Sequence, residues 1–173
     1  MKNKCLYILL ICLITCCKTT LTTKEVMQQL GKNPYIEIDG QPSTRKILLT
    51  YEASDIATFS VYKLKSSVKK FGPNAEDGAI SIQTISYATE QFETLFSNHS
   101  EEYKKLINHV NKDELQYILN GQVLVVNPAG TLVSLDKRSL KEIKIIHQKE
   151  LADKYQIENK TIGIAIKARK SKK

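Results

Sequence analysis

The chain has 173 residues, a formal net charge of +8, no tryptophan and four cysteines. That length suits one domain or two small ones, and a body of about 155 residues behind a leader buries a core without covalent staples. All the cysteines, Cys5, Cys12, Cys16 and Cys17, stand near the N-terminus, which excludes a disulfide framework or a cysteine metal site in the rest of the chain.

The positive charge does not read as a nucleic-acid surface. Lys2 and Lys4 belong to the leader, while Lys167, Arg169, Lys170, Lys172 and Lys173 crowd the C-terminal end and the remaining basic residues interleave with Glu and Asp. The tail, residues 169–173, is left as a contact for phospholipid or an acidic partner.

Lys2 and Lys4 precede an apolar run, Leu6 to Ile14, that ends at Thr15-Cys16-Cys17-Lys18. A crossing helix needs roughly 20 apolar residues to cover about 30 Å of hydrocarbon, so this run reads as an export signal that is removed. Leu13-Ile14-Thr15-Cys16 resembles a bacterial lipobox, in which a cysteine accepts diacylglycerol and becomes the new N-terminus. Thr15 stands where Gly, Ala or Ser is usual, which leaves Cys16 or Cys17 as the lipidated residue. Residues 1–16 are therefore expected to be a lipoprotein-type signal peptide, and the lipid to hold the protein to a membrane of the bacterial cell envelope, facing the periplasm or the cell surface.

Residues 17–32 read as a linker with a short helix from Thr22 to Gly31, capped by Thr and stopped by Gly. Tyr35, Ile36 and Ile38 then form a strand that meets the turn pair Asp39-Gly40. The run Ile47-Leu48-Leu49 suggests another short strand, and Ile56 to Lys63 alternates as a half-buried one. Lys65 to Phe71 fits two turns of helix ended by Gly72 and Pro73, and Ala79 to Ile85 returns to strand alternation. Glu90 to Val110 is helical, with Phe92, Leu95, Phe96, Tyr103, Leu106, Ile107 and Val110 at three-and-four spacing, and reads as two helices with Asn98 or Ser100 capping the second.

The order of elements then repeats. An offset of 84 carries Ile56 onto Leu140, Phe59 onto Ile143, Val61 onto Ile145, Phe71 onto Tyr155, Ile80 onto Ile164 and Ile82 onto Ile166. The strand and turn of Tyr35 to Gly40 recur as Tyr117 to Gly121, at an offset nearer 81. The expected architecture is α/β (α+β): a β-β-α-β module over 33–86, a helical spacer over 87–112 and a second module over 113–168, each module with a mixed sheet.

Tyr35-Ile-Glu-Ile-Asp39-Gly40, Asp55-Ile-Ala-Thr-Phe-Ser-Val-Tyr-Lys63, Lys70-Phe71-Gly72 and Asp77-Gly78-Ala79-Ile80-Ser81-Ile82-Gln83-Thr84 together resemble the plug domain of TonB-dependent outer-membrane receptors. Block two resembles a decayed copy that keeps Asn120-Gly121, Leu140 to Ile145 and Tyr155. Gln156 and Ile162 stand in it where glycines are expected, so its turns should differ. The resemblance implies two small plug-like modules, with Asp39, Gly40, Phe71, Gly72, Gly78, Asn120, Gly121 and Tyr155 as turn and packing residues. It also implies an interaction domain, associated with an outer-membrane transport or membrane regulatory complex. The chain lacks the many strands of a receptor barrel.

Catalytic chemistry has little support in these residues. His99, His109 and His147 lack ligand spacing, no serine sits in a Gly-x-Ser-x-Gly elbow, and no glycine-rich phosphate loop is present. Glu101-Glu102 and Asp113-Glu114 are sequence neighbours that point to different sides of a helix. The reading is a non-enzymatic envelope lipoprotein with a protein partner and no cofactor, metal or nucleic acid. Its alternative is a periplasmic small-ligand-binding or hydrolase-like protein whose site forms only in the fold.

Overall fold

A computed structural model describes residues 30–169. The signal peptide, Cys16, Cys17, the helix expected from Thr22 and the basic tail beyond Arg169 lie outside the described residues. Within them the chain runs β1 (Tyr35–Ile38), β2 (Gln41–Ser43), α1 (Arg45–Leu48), β3 (Ile56–Tyr62), α2 (Lys65–Phe71), β4 (Ala79–Thr84), α3 (Ile85–His99) and α4 (Glu101–Ile107). It continues through β5 (Leu115–Leu119), β6 (Gln122–Val123), α5 (Pro128–Leu132), β7 (Leu140–His147), α6 (Gln148–Tyr155) and β8 (Ile162–Ala168). The strands form two mixed sheets of identical order, β2-β1-β4-β3 and β6-β5-β8-β7. In each, a hairpin opens the module and the last strand inserts parallel to the first.

The correspondence extends to single residues. Phe59 opposes Ile82 and Val61 opposes Ile80 in sheet 1, and Ile143 opposes Ile166 and Ile145 opposes Ile164 in sheet 2. Both outer strands carry an irregularity at the same place, between Ile56 and Thr58 and between Leu140 and Glu142. In the first strands Ile36 opposes Ile80 and Tyr117 opposes Ile164, so the offset there is 81 and Tyr35 corresponds to Gln116, not to Tyr117. Asp39 and Asn120 share φ 52°, followed by Gly40 at 77° and Gly121 at 84°. Two successive positive φ values make the tight hairpin turn that matches strand twist, and Asp-Gly and Asn-Gly are the pairs that tolerate it.

Two local expectations need correction. The run Ile47-Leu48-Leu49 is not a strand: Thr44 Oγ1 accepts from Ile47 N at 3.3 Å and caps one helical turn, which buries Leu48 and leaves Ile47 and Leu49 exposed. The spacer helix starts at Ile85, directly from β4, because Thr84 Oγ1 accepts from Tyr87 N at 3.2 Å. Of the two candidate caps for α4, Asn98 and Ser100, it is Ser100 that accepts from Tyr103 N, at 3.2 Å. Two edge strands, β2 and β6, also escaped the sequence reading, being too short to show a period.

The turn after the second helix differs between modules, though not by losing its positive φ. Gly72 has φ 83° and ψ −172°, whereas Gln156 has φ 58° and ψ 37°. The first combination is open only to glycine; the second is the left-handed helical well that a polar residue can enter at modest cost. Ile162 starts β8 with no left-handed residue before it, whereas Gly78 at φ 95° leads into β4.

The helical stripe meets the sheets as its spacing predicts. Ala88, Phe92 and Phe96 of α3 and Tyr103 of α4 are buried with Leu115, Ile164 and Ile166 of sheet 2, Ala129 and Leu132 of α5, and Ala57 of β3. This one core therefore contains groups from both modules. Each fully buried aromatic contributes about 2–3 kcal/mol by area. Sheet 1 has its own core of Ile36, Ile38, Leu48, Ile80 and Ile82, and the far face of sheet 2 packs Ile118 and Ile146 against Leu151 of α6.

Candidate interaction edge

A sheet edge presents unpaired N–H and C=O groups, and proteins blunt such edges with charge, proline or shortness. Three of the four edges here are blunted. β2 has three residues and contains Pro42, and β6 has two. β7 has eight residues, but Lys141, Glu142, Lys144 and His147 are exposed along it. Lys167 Nζ holds Glu142 at 2.6 Å and keeps that carboxyl below the usual range, and His99 Nε2 lies 3.3 Å from Lys141 O.

β3 occupies the matching place in sheet 1, and none of its seven side chains is charged. Among the described residues, a side chain from another element meets only its first carbonyls. Asn127, held at φ 45° as the cap of α5, donates through Nδ2 to Ala57 O at 2.8 Å and lies 3.4 Å from Ile56 O, while its Oδ1 accepts from Gly130 N. Gly130 permits the approach, since a Cβ there would overlap Ala57 O. Ala57 O and Lys141 O are thus equivalent carbonyls, each met by a side chain from another element.

Beyond Ala57 the edge is followed by an apolar and basic surface. Phe59 is 39 % exposed, Leu64 68 % and Val68 37 %. Leu64 has φ 38° and caps α2. Lys63, Lys65, Lys69 and Lys70 are exposed around it, and Glu76 lines the same shallow surface as Leu64 and Val68. Lys70 Nζ reaches Tyr62 OH at 2.6 Å and stands 4.2 Å from that ring's centre.

The eight motif residues stand in turns and packing positions that divide between the sheets. Asp39 closes sheet 1: its carboxylate accepts from Thr84 N at 2.7 Å and from Thr84 Oγ1 at 2.8 Å. Asn120 Oδ1 accepts from Ala168 N at 2.9 Å, the same bond in sheet 2. Phe71 packs between Tyr35 and Tyr62, and Gly72 and Gly78 bound the turn that follows α2. Asn120, Gly121 and Tyr155 line one groove of about 510 Å³ on sheet 2. Its charges pair among themselves, Lys144 and Lys154 with Glu150 and Lys167 with Glu142.

The candidate catalytic groups are scattered by the fold. His99 ends α3, His147 precedes α6 and His109 follows α4. Among the described residues no group of three His, Cys, Asp or Glu is placed to hold a metal, and no helix is long and apolar enough to cross a membrane. The strongest perturbation lies in the shared core. Burial pushes Tyr117 up to about 12, helped by the charge of Glu93, and raises Tyr103 further; the two hydroxyls are 3.3 Å apart. Lys112 Nζ holds Glu93 at 2.7 Å.

The open edge of β3 is what sequence reading missed: alternation in Ile56 to Lys63 showed a half-buried strand, whereas its place at the end of the sheet depends on pairing across the module. No protein-family model matches the chain, and searches of curated proteins and of solved structures also give no match.

Proposed function

We propose that this is a lipid-anchored protein of the bacterial cell envelope that works by protein contact through sheet 1, without catalysis. The observation that carries the reading is the asymmetry of two otherwise matching sheets: β7 is charged and β3 is not. A duplicated module that keeps one edge closed and the other open has the form of a binding unit beside a supporting one. The leader and Cys16 or Cys17 support the anchor, and the plug-like resemblance supports a partner in an outer-membrane transport or membrane regulatory complex.

The test is cross-linking co-purification of the tagged full chain from membranes, beside a Cys16→Ala, Cys17→Ala version. The parent is expected in the membrane fraction with a discrete envelope protein attached, and the double variant in the soluble fraction without it. Membrane retention of the double variant would remove the lipid anchor, and a parent that comes down alone would remove the interaction role.

A further inference from the structure

We infer that the free part of β3, Thr58 to Tyr62 with Lys63, receives an extended segment of a partner protein in which apolar and acidic residues alternate, paired as a fifth strand of sheet 1. This deepens the protein-contact reading and rests on it.

The backbone supplies the first argument. Among the described residues β3 is an edge with one neighbour, β4, and Asn127 covers only the Ile56 and Ala57 carbonyls. The remaining stretch is about the length of an ordinary strand, roughly 17 Å at about 3.3 Å per residue. Strand addition satisfies such an edge with main-chain bonds and leaves alternate side chains to read the neighbouring surface.

That surface sets the partner's composition. Phe59, Leu64 and Val68 give apolar contacts, and from Lys63 to Glu76 the chain holds four lysines against one acidic residue. An incoming strand with apolar residues on the Phe59 face and carboxylates on the Tyr62 face, where α2 and its lysines stand, is complementary in both respects. Parallel pairing with β3 of a second copy is disfavoured by the same charges, since it brings two lysine clusters together. Sheet 2 is the internal comparison: Thr58 and Ser60 of β3 correspond to Glu142 and Lys144 of β7, so the two strands hold the same register with opposite fitness for pairing.

The experiment uses the full chain in detergent and labelled peptides of about eight residues, an ordinary strand length. One alternates valine with glutamate and its counterpart alternates valine with lysine; binding is read by anisotropy. The glutamate peptide is expected to bind at least about tenfold more tightly than the lysine peptide. T58E/S60K, which copies β7 and is checked for folding by circular dichroism, should lose that binding. Exposed-site reversal in K63E/K65E/K69E should turn the preference toward the lysine peptide. E101Q/E102Q, at exposed positions of α4 away from both edges, should leave it unchanged. Equal affinity for both peptides, or binding indifferent to T58E/S60K and to the charge reversal, overturns the inference. So does a concentration-dependent dimer that T58E/S60K abolishes. If an envelope partner is still captured by T58E/S60K, the protein-contact reading stands while strand addition at β3 falls.

Discussion

Asp39 accepts two hydrogen bonds from Thr84, where Asn120 accepts one from Ala168, at equivalent positions with the same φ. Asp39→Asn keeps an acceptor for Thr84 N and a residue tolerant of the left-handed well, so it should stay within about 1 kcal/mol of the parent. Asp39→Ala loses both bonds at a strained φ and should cost about 2–3 kcal/mol in urea unfolding; near-equal midpoints for the two variants would contradict this role. The Tyr103–Tyr117 pair makes a second residue-level prediction. Burial raises both phenols in the folded state, so their stabilising effect is full below 10.0, the ordinary value, and is lost as pH rises through about 12 for Tyr117. Urea midpoints measured from pH 8 to 11 should fall above pH 10, and Tyr103→Phe should flatten that fall. The turn residues were legible in the sequence because Asp-Gly and Asn-Gly carry their own conformational preference. The tyrosine pair was not, since Tyr103 lies on α4 and Tyr117 on β5, and only folding sets their hydroxyls together.

Helix α6 and strand β8 meet at a position where the modules have traded volume. Gly163 and Leu151 in module 2 correspond to Ala79 and Ser67 in module 1, and all four are buried. A Cβ on Gly163 would lie 2.5 Å from Ile146 Cγ1 and 2.7 Å from Leu151 Cδ2. Gly163→Ala should therefore cost about 1–3 kcal/mol by overpacking, and Leu151→Ser about 2–5 kcal/mol by loss of buried volume. The double variant recreates the module 1 pair, so its cost should be less than the sum, a coupling that a double-mutant cycle in urea reads directly. Strict additivity would mean that the two sites do not share this space. At this scale the long elements were legible, α3 from its three-and-four stripe and β3, β4, β7 and β8 from the 84-residue register. Short elements were not: α1 is one turn made by Thr44 and the burial of Leu48, and β2 and β6 exist only through their pairing with β1 and β5.

The two modules are joined by more than the spacer. Ala57 of sheet 1 shares a core with Phe92, Phe96 and sheet 2, and Asn127 ties α5 to β3. Unfolding should accordingly be one cooperative transition, with circular dichroism and tyrosine fluorescence giving coincident urea curves; two separated transitions would show that the modules hold independently. The parallel insertion of the last strand beside the first also sets how the molecule answers tension. A pull on the chain ends drags neighbouring strands along their length in opposite directions, so the rungs of a ladder resist together and do not open one after another as a zipper does. Four paired positions join β1 to β4, and five join β5 to β8. Single-molecule pulling should show module 1 yielding at lower force than module 2, the order that the two ladder lengths dictate.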